Sequence, residues 1–294
     1  MTASDSPVVT IRPTLPSDRE DVLSFCRFIW GGGDYIAYVW DEWLADPRGR
    51  MFTAEYAGHA VGLGRLTCLT PSQWWLEGLR VDPRHQDRKI GSALHAYLVA
   101  DWLEHGAGFL RLMTTSDRVK VHHLCERDGF VRAAELVCRF APSLDEPTSA
   151  LTLVLPAELP AALGFLAAAP SLAWMNGLLD LGWCYATLEP ATLEFLLARG
   201  HLYWWGDRRG LLAVWDDEED GETFTMVSAA GCATGDLPAL LLDFRRLSAA
   251  LGFRKAGFYA TTHPGLGAVL ESAGFPVEEN FDIMVLFEKR HPSR

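Results

Sequence analysis

The sequence predicts an α/β chain in which one unit of strands and helices occurs twice. Two observations carry this prediction. Strand-like runs alternate with helix-like segments over residues 8–140, and landmarks of that stretch return in the second half. Gly108-Phe109, Thr114-Thr115 and Gly129-Phe130 recur as Gly252-Phe253, Thr261-Thr262 and Gly274-Phe275, at offsets of 144, 147 and 145 residues. Offsets that are nearly constant indicate a tandem duplication.

Spacing and turn residues predict the elements of the first half. The predicted strands cover 8–13, 51–69, 74–81 and 109–113, and an amphipathic helix covers 92–104. The strand pair within 51–69 folds at Ala57-Gly58. Ser17 and Glu20 have the spacing of a capping box at the start of a helix. A last helix ends near Gly129, which suits a left-handed C-cap.

The second half follows a turn-rich stretch. Residues 141–150 contain Pro, Ser, Asp and Thr and predict a linker. We therefore expect one domain over 1–140 and a second over 151–294. Strand-like runs at 210–215 and 224–228 continue the pattern of the first half.

The composition is that of a globular protein. Of 294 residues, 49% are hydrophobic and 22% are charged, which excludes a disordered chain. The net charge of -12 argues against a nucleic-acid partner, because such binding depends on neutralising phosphates. The six cysteines form no C-x-x-C pair and no zinc spacing, and no leader-like pattern opens the chain. We expect a reduced cytoplasmic protein without a metal.

One apolar stretch raises the alternative of a membrane span. No charged residue occurs from Leu159 to Leu179, and that length could cross a bilayer. The stretch contains Pro160 and Pro170, is rich in Ala, and has no flanking Lys or Arg bias. Two short buried helices broken at Pro170 explain it better, so we expect no membrane partner.

The most informative segment joins the strand ending at Val81 to the helix opening near Gly91. A helix N-terminus presents free N–H groups and the positive end of its dipole, and so can hold an anion. Arg84, Arg88 and Lys89 add positive charge on an otherwise acidic chain. This pattern favours a compact phosphate ligand. The alternative is an ordinary strand-to-helix connection with solvated basic residues.

Three motifs occur in order within this half. They are Ile11-Arg12-Pro13-Thr14 with Asp18, then Val81-Asp82-Pro83 followed by Gln86-Asp87-Arg88-Lys89-Ile90-Gly91, and finally Asp128-Gly129-Phe130. Together they resemble the GNAT superfamily of acyl-CoA-dependent N-acetyltransferases, over about residues 8–140. The resemblance implies tandem GNAT-like domains of the α/β (α+β) class, each a mixed, mostly antiparallel twisted sheet flanked by helices.

The resemblance also implies the binding residues for acetyl-CoA as co-substrate. They lie at the strand end, in the loop, at the helix start and before the last helix: Leu79, Arg80, Val81, Gln86, Asp87, Arg88, Lys89, Ile90, Gly91, Ser92 and Arg118. Three positions depart from the family pattern. Lys89 replaces a glycine that lets the pyrophosphate approach the backbone, Cys125 replaces a frequent tyrosine, and Arg118 replaces a common asparagine.

Acyl transfer to an amine needs a group that removes a proton, because only the neutral amine attacks a thioester. Glu77 is the candidate base. Alternation along the strand places it on the face of Leu79 and Val81, and some members of the family carry a base at this spacing. The alternative is a surface glutamate on a strand edge. Cys125 is a candidate acid for the leaving thiolate, and its alternative is a buried inert cysteine.

The acceptor site is expected over residues 34–47. Tyr35 and Tyr38, with Asp41 and Glu42, combine aromatic rings and carboxylates that suit a cationic amine. The alternative is an amphipathic helix whose tryptophans belong to the core. Two strings, Asp-Tyr…Trp-Leu-x-Asp-Pro and Glu-Gly-Leu-Arg-Val, are also similar to vertebrate histidine N-acetyltransferases, which implies a free amino acid or another small amine as acceptor.

The expected function is transfer of an acetyl group from acetyl-CoA to a primary amine in a ternary complex. The alternative is a non-catalytic protein that binds acyl-CoA. The second half resembles a degenerate copy, because residues 231–238 contain no Lys or Arg and place Pro238 near the helix start. The oligomeric state stays open between a monomer with pseudo-twofold tandem domains and a homodimer.

Overall fold

The structure, a computed structural model, describes residues 8–292 except 87, 149, 200, 220 and 278–281. The chain separates into two units. The first consists of Met1–Leu112, Lys120–Val131 and Glu288–Arg294, and the second of Met113–Val119 and Arg132–Phe287. Each unit therefore takes a segment from the other half of the sequence. The domain boundaries drawn along the sequence, 1–140 and 151–294 around the linker, stay predictions.

The first unit is built from a sheet with helices packed on it. Its elements are β1 (Thr10–Pro13), α1 (Arg19–Cys26), α2 (Ile36–Ala45), β2 (Gly49–Tyr56), β3 (His59–Thr70), β4 (Gln73–Val81), α3 (Ile90–His105), β5 (Phe109–Thr115) and α4 (Val119–Arg127). The strand order is β1-β2-β3-β4-β5. Only β4 and β5 are parallel among these neighbours, and the other pairs are antiparallel.

The predicted turns of the first unit are confirmed. Ala57 and Gly58, with φ of 52° and 82°, form the two-residue connection between β2 and β3. Positive φ at both positions matches the twist of a hairpin. Gly129 has φ of 81° and follows α4, as expected for a C-cap glycine. The helix predicted over 92–104 is α3, which extends that prediction at both ends.

The start of the first helix differs from the prediction. The chain makes a 3-10 turn at Pro16–Asp18 before α1 begins. The carboxylate of Asp18 accepts the backbone N–H of Leu15 at 2.8 Å and is paired with Arg12. The capping box predicted from Ser17 and Glu20 is therefore wrong, because Pro16 starts the turn one residue earlier and makes Asp18 the acceptor.

The second unit follows a similar order, with an additional first strand, a short hairpin and further helical segments between its first helix and its first long hairpin. Its elements are β6 (Val131–Pro142), β7 (Leu151–Leu153), α5 (Leu159–Ala168), α6 (Pro170–Ala173), β8 (Leu178–Asp180), β9 (Tyr185–Thr187), α7 (Pro190–Ala198), β10 (Leu202–Trp205), β11 (Gly210–Glu219), β12 (Glu222–Cys232), α8 (Leu237–Ala250), β13 (Lys255–Thr261), α9 (Pro264–Ser272) and β14 (Met284–Arg290). The strand order from β6 is β6-β13-β12-β11-β10-β7, and β8 and β9 form a separate hairpin.

The tandem repeat predicted from the offsets is confirmed. β12 and β13 are parallel, as β4 and β5 are, and their neighbours are antiparallel. Gly252 and Gly274 have φ of 91° and 83°, and their counterparts Gly108 and Gly129 have φ of 66° and 81°. Each unit has the mixed, mostly antiparallel sheet with helices that the fold prediction describes.

The apolar stretch of the second half forms two helices, as predicted. α5 ends at Ala168, and Ala169 is extended because it precedes Pro170, where α6 begins. No helix among the described residues is long and apolar enough to cross a membrane.

Candidate active site

The site of the first unit lies where two parallel strands separate. Three residues of β4, Gln73 to Trp75, pair with Phe109 to Arg111 of β5, and beyond Trp75 the register of β4 continues with β3 alone. The strand edge that follows leads to the loop before α3. Glu77 therefore stands two residues past the last parallel pair.

A bulge in β4 decides which face Glu77 occupies. Gly78 and Leu79 together oppose one residue of β3, and Gly78 has φ of 67°. A Cβ at Gly78 would collide with the ring of Trp43, on the side of α2, whereas Leu79 lies against the side of α3. The expectation that Glu77 shares a face with Leu79 and Val81 is therefore wrong, because the bulge breaks the alternation between them.

Two donors hold one oxygen of Glu77. The hydroxyl of Thr67 donates to Oε1, and Nη1 of Arg65 lies 3.3 Å from the same atom. Oε2 makes no hydrogen bond to any residue that the structure describes. Arg65 is also paired through Nη2 with Asp46 at 2.7 Å, and its guanidinium lies over the ring of Trp43 at 4.7 Å.

The surroundings of Glu77 raise its pKa. Burial is the main cause, because it disfavours the charged carboxylate, and Asp46 and Glu42 add to it. Thr67 and Arg65 oppose the rise by stabilising the ionised form. A carboxylate with a raised pKa is a better match to an amine proton at neutral pH than an ordinary glutamate.

The loop after β4 is held by local contacts. Asp82 caps the short turn at Pro83–His85 by accepting the backbone N–H of Arg84 at 2.9 Å, and it pairs with the guanidinium of Arg84 at 2.6 Å. This pairing leaves Arg84 less available to a ligand than the sequence indicates. Arg88 donates to the hydroxyl of Tyr56 at 2.7 Å and lies over its ring at 4.9 Å.

The start of α3 has the features of an anion site. Lys89 precedes the helix with φ of 60°, the left-handed conformation that glycine adopts most readily. Its ammonium makes no hydrogen bond or ion pair with any described residue. Of the other predicted loop residues, Gln86 is exposed, Ile90 is buried, and Gly91 and Ser92 are half-buried. Asp87 lies outside the described residues.

The residues expected to bind the acceptor lie near α2. Arg80, half-buried, is paired with Asp34 at 2.7 Å and lies over the ring of Tyr35 at 5.2 Å. Tyr35 packs edge-on against Trp43 at 5.8 Å and is 42% exposed, whereas Tyr38 is 88% exposed. Tyr35, Arg80 and Glu77 therefore share the surroundings of Trp43 and α2, and Tyr38 lies in solvent.

Two predicted residues lie elsewhere. Cys125, on α4, is fully buried, and burial raises the pKa of its thiol to about 12. This placement favours the alternative of an inert core cysteine over a proton donor. Arg118 is exposed and belongs to the segment Met113–Val119 of the second unit.

The second unit has the same strand separation with different residues. β12 and β13 pair through three residues up to Met226 and Gly257, so Ser228 stands where Glu77 stands in the first unit. Beyond it, the hydroxyl of Ser171 on α6 donates to the carbonyl of Ala230 at 2.7 Å and accepts the N–H of Cys232 at 2.8 Å. The chain itself thus occupies the edge of β12.

The loop before α8, residues 231–237, contains no Lys or Arg of its own, unlike the loop before α3. Asp236 precedes the helix and is paired with Arg209 at 3.7 Å, and Pro238 removes one N–H from the first turn. Among the described residues of both units, no group of three or more His, Cys, Asp or Glu could hold a metal ion. His122 is buried and His123 is exposed, so the two histidines point in different directions.

Sequence reasoning missed the residues that hold Glu77. Arg65 and Thr67 lie on β3, in the cross-strand positions facing Glu77 and Trp75. A charged residue within an apolar strand, followed two residues later by threonine, was the available signal. Asp46, at the end of α2, has no local pattern that connects it with Arg65.

Comparisons with known proteins agree with this fold. The model of the acetyltransferase (GNAT) family matches residues 19–130. A tandem GNAT protein of the clavulanic acid biosynthesis pathway is 15% identical, with a TM-score of 0.59 over 98% of this chain and 100% of that chain. A GCN5-related N-acetyltransferase from Sphaerobacter thermophilus is 16% identical, with a TM-score of 0.61 over 98% and 96%. At these identities the likeness shows the fold. A search of curated proteins finds no match.

Proposed function

Because the model of the acetyltransferase (GNAT) family matches residues 19–130, we propose that the chain belongs to this family and transfers an acetyl group from acetyl-CoA to a primary amine of a small molecule. The observation that carries this proposal is the state of Glu77. Both donors bind its Oε1, its Oε2 is left for a proton, and it stands two residues past the last parallel pair of β4 and β5.

The residues before and within the first turn of α3 fit the pyrophosphate of acetyl-CoA. The N–H groups of Ile90, Gly91 and Ser92 have no partner within a helix that starts there. Lys89 and Arg88 supply positive charge beside them. Among the described residues, a Cβ at Gly91 would meet only Val81, at 3.4 Å, so these residues leave the surface of this turn open. Leu79, Arg80 and Val81 would offer the strand edge to the pantetheine, and Gln86 and Asp87 are proposed as further contacts.

The reaction needs a residue of this chain to accept one proton from the acceptor. Acetyl-CoA supplies an activated acyl thioester. Oε2 of Glu77 takes a proton from the ammonium of the acceptor, directly or through a water molecule. The neutral nitrogen then forms the new C–N bond as the C–S bond breaks, and the electron pair leaves with the thiolate. The thiolate takes up the second proton that the nitrogen loses, directly or through water, so that the products are the amide and the free thiol of CoA. Cys125 is too deeply buried to make a convincing donor to that thiolate.

The surroundings of α2 favour a small cationic acceptor. The rings of Tyr35 and Trp43 meet edge to face beside the acidic groups Asp46 and Glu42. Aromatic rings and carboxylates together attract an ammonium group. We include Tyr38 in the proposed acceptor site as an exposed ring that could cover a bound amine. A free amino acid is one acceptor of this class.

The proposal is tested by incubating the protein with acetyl-CoA and a library of amines and amino acids while the release of free thiol is followed. We expect turnover with at least one small amine. Binding of CoA without turnover for any amine would contradict the proposal and favour a non-catalytic acyl-CoA-binding protein. The strained Lys89 and the buried Cys125 are the observations that favour this second candidate.

Binding itself is measured separately from catalysis. A ligand that binds only the native state raises its melting temperature. CoA should therefore raise the melting temperature under both candidates, and no rise at millimolar CoA would contradict both. We further propose a cytoplasmic location, which the six free cysteines support, and a second unit that is a degenerate copy. Nucleic-acid and membrane partners are not part of the proposal.

A further inference from the structure

The two carboxylate oxygens of Glu77 have different surroundings. Thr67 and Arg65, both on β3, direct their donors to Oε1. We propose that Arg65 and Thr67 are positioning residues that fix Oε1 of Glu77 and thereby aim Oε2 at the amine of the acceptor. This inference rests on the proposed function, because it deepens the role of Glu77 within it.

The side chain of Arg65 is buried and is held by contacts with several residues of the first unit. Its side chain is only 4% exposed, and Asp46 holds Nη2 at 2.7 Å while the ring of Trp43 lies against the guanidinium. Gly49 makes room for it, because a Cβ at that position would lie closer to the guanidinium than real contacts allow. A buried arginine with this packing has little freedom to turn, so the direction of its Nη1 toward Glu77 is set by the fold.

The groups that face Glu77 shift its pKa in opposite directions. Arg65 and the hydroxyl of Thr67, from β3, favour the ionised carboxylate, and Asp46 and Glu42, from α2 and its end, favour the protonated form. Removing the hydroxyl of Thr67 takes away one group that favours ionisation. The pKa of Glu77 then rises further, and a base that must be ionised loses activity at a higher pH than in the wild type.

Thr67→Val tests this, because valine has the shape of threonine without the hydroxyl. We expect the acid limb of the pH profile of kcat/KM to move up by about one pH unit, since a hydrogen bond to a charged group has that magnitude. Thr53→Val is the matched control. Thr53 is buried like Thr67 and donates to a carboxylate, that of Asp18 at 3.1 Å, yet it does not contact Glu77. Its acid limb should stay in place.

A second measurement does not depend on turnover. In protein with carbon-13-labelled glutamate carboxyl groups, the signal lost in Glu77→Gln identifies Glu77, and its titration is compared between wild type and Thr67→Val. The positioning role predicts an upward shift of that titration in Thr67→Val and none in Thr53→Val. An unchanged titration in Thr67→Val would overturn the inference even if the enzyme is active.

Arg65→Lys completes the test. Lysine keeps the positive charge but cannot reach Asp46 and Glu77 together with a planar fork. We expect kcat to fall about tenfold or more with less change in the KM for acetyl-CoA. An Arg65→Lys variant with wild-type kcat would contradict a positioning role for Arg65. If the wild type itself turns over no amine, the proposed function fails, and the titration of Glu77 still decides whether Arg65 and Thr67 hold it.

Discussion

The two units separate their parallel strands at the same register and place different residues there. In the first unit the third residue of β5 is Arg111, and in the second the third residue of β13 is Gly257. Two residues past the last pair, the first unit has Glu77 and the second has Ser228. The edge that follows leads to Lys89 and a basic helix start in the first unit, whereas the second closes the edge with its own chain.

The difference indicates which features of a repeated fold serve folding and which serve a ligand. Both units have a parallel strand pair, the left-handed glycines and a helix that connects the two strands of that pair. Among the residues that the structure describes, only the first unit has a carboxylate two residues past the parallel pair and a lysine without an ion pair before the helix. In the second, the hydroxyl of Ser171 satisfies the two backbone groups that would otherwise face a gap.

The largest expected effect is the presence of one binding site rather than two. Calorimetric titration of the intact chain with CoA should give one site, because a diphosphate at α8 would meet Asp236, the loss of one N–H at Pro238, and an edge occupied by Ser171. Two equivalent sites would contradict the distinction between the units. One site that persists in Lys89→Glu at unchanged affinity would place it away from α3.

The next effect concerns catalysis. Glu77→Gln should lower turnover by a factor on the order of 10²–10⁴ with little change in CoA affinity, because the amide cannot take a proton. Because burial raises the pKa of Glu77, the acid limb of the wild-type pH profile should lie above the usual range of a glutamate, and activity should fall as pH falls through it. Ser228→Ala in the second unit is the control, and a comparable loss there would break the comparison.

The next prediction concerns stability, at Arg111, the third residue of β5. Arg111 is fully buried and paired with Glu288 at 2.6 Å, so Arg111→Leu leaves that carboxylate without its partner. We expect a loss of about 3 kcal/mol in the free energy of unfolding, measured with denaturant. Arg19→Leu removes an exposed pair with Asp41 and should cost less than about 1 kcal/mol. Equal losses would show that burial of the pair is not what matters.

The sequence predicted the local elements and missed the long-range pairings. The hairpin at Ala57-Gly58 and the cap at Gly129 follow from residues next to each other in the chain. The face of Glu77 was mispredicted, because a glycine in a strand does not reveal where a bulge resets the alternation. Glu288 reaches Arg111 across 177 residues, and no local pattern specifies such a pair.

Removing the Ser171 hydroxyl from the edge of β12 should have a moderate effect on stability. Ser171→Ala leaves the carbonyl of Ala230 and the N–H of Cys232 without partners, which should cost about 2 kcal/mol of unfolding free energy. Ser272→Ala, which removes an exposed hydroxyl at the end of α9, should change it by less than about 0.5 kcal/mol. CoA should still bind at one site in Ser171→Ala, since the start of α8 stays acidic. A second site in that variant would mean that Ser171 alone closes the second unit.

The smallest effect separates the backbone from the charge at Lys89. Its φ of 60° costs a non-glycine residue about 1–2 kcal/mol, and glycine loses roughly 1 kcal/mol of that gain through its freer unfolded state. Lys89→Gly should therefore raise the unfolding free energy by at most about 1 kcal/mol while weakening CoA binding severalfold, because the ammonium is lost. Ala57→Gly makes the same backbone change at φ of 52° in the hairpin, without a change in charge, and should leave CoA affinity unaltered. If Lys89→Gly instead binds CoA more tightly, close approach to the backbone matters more than charge at this position.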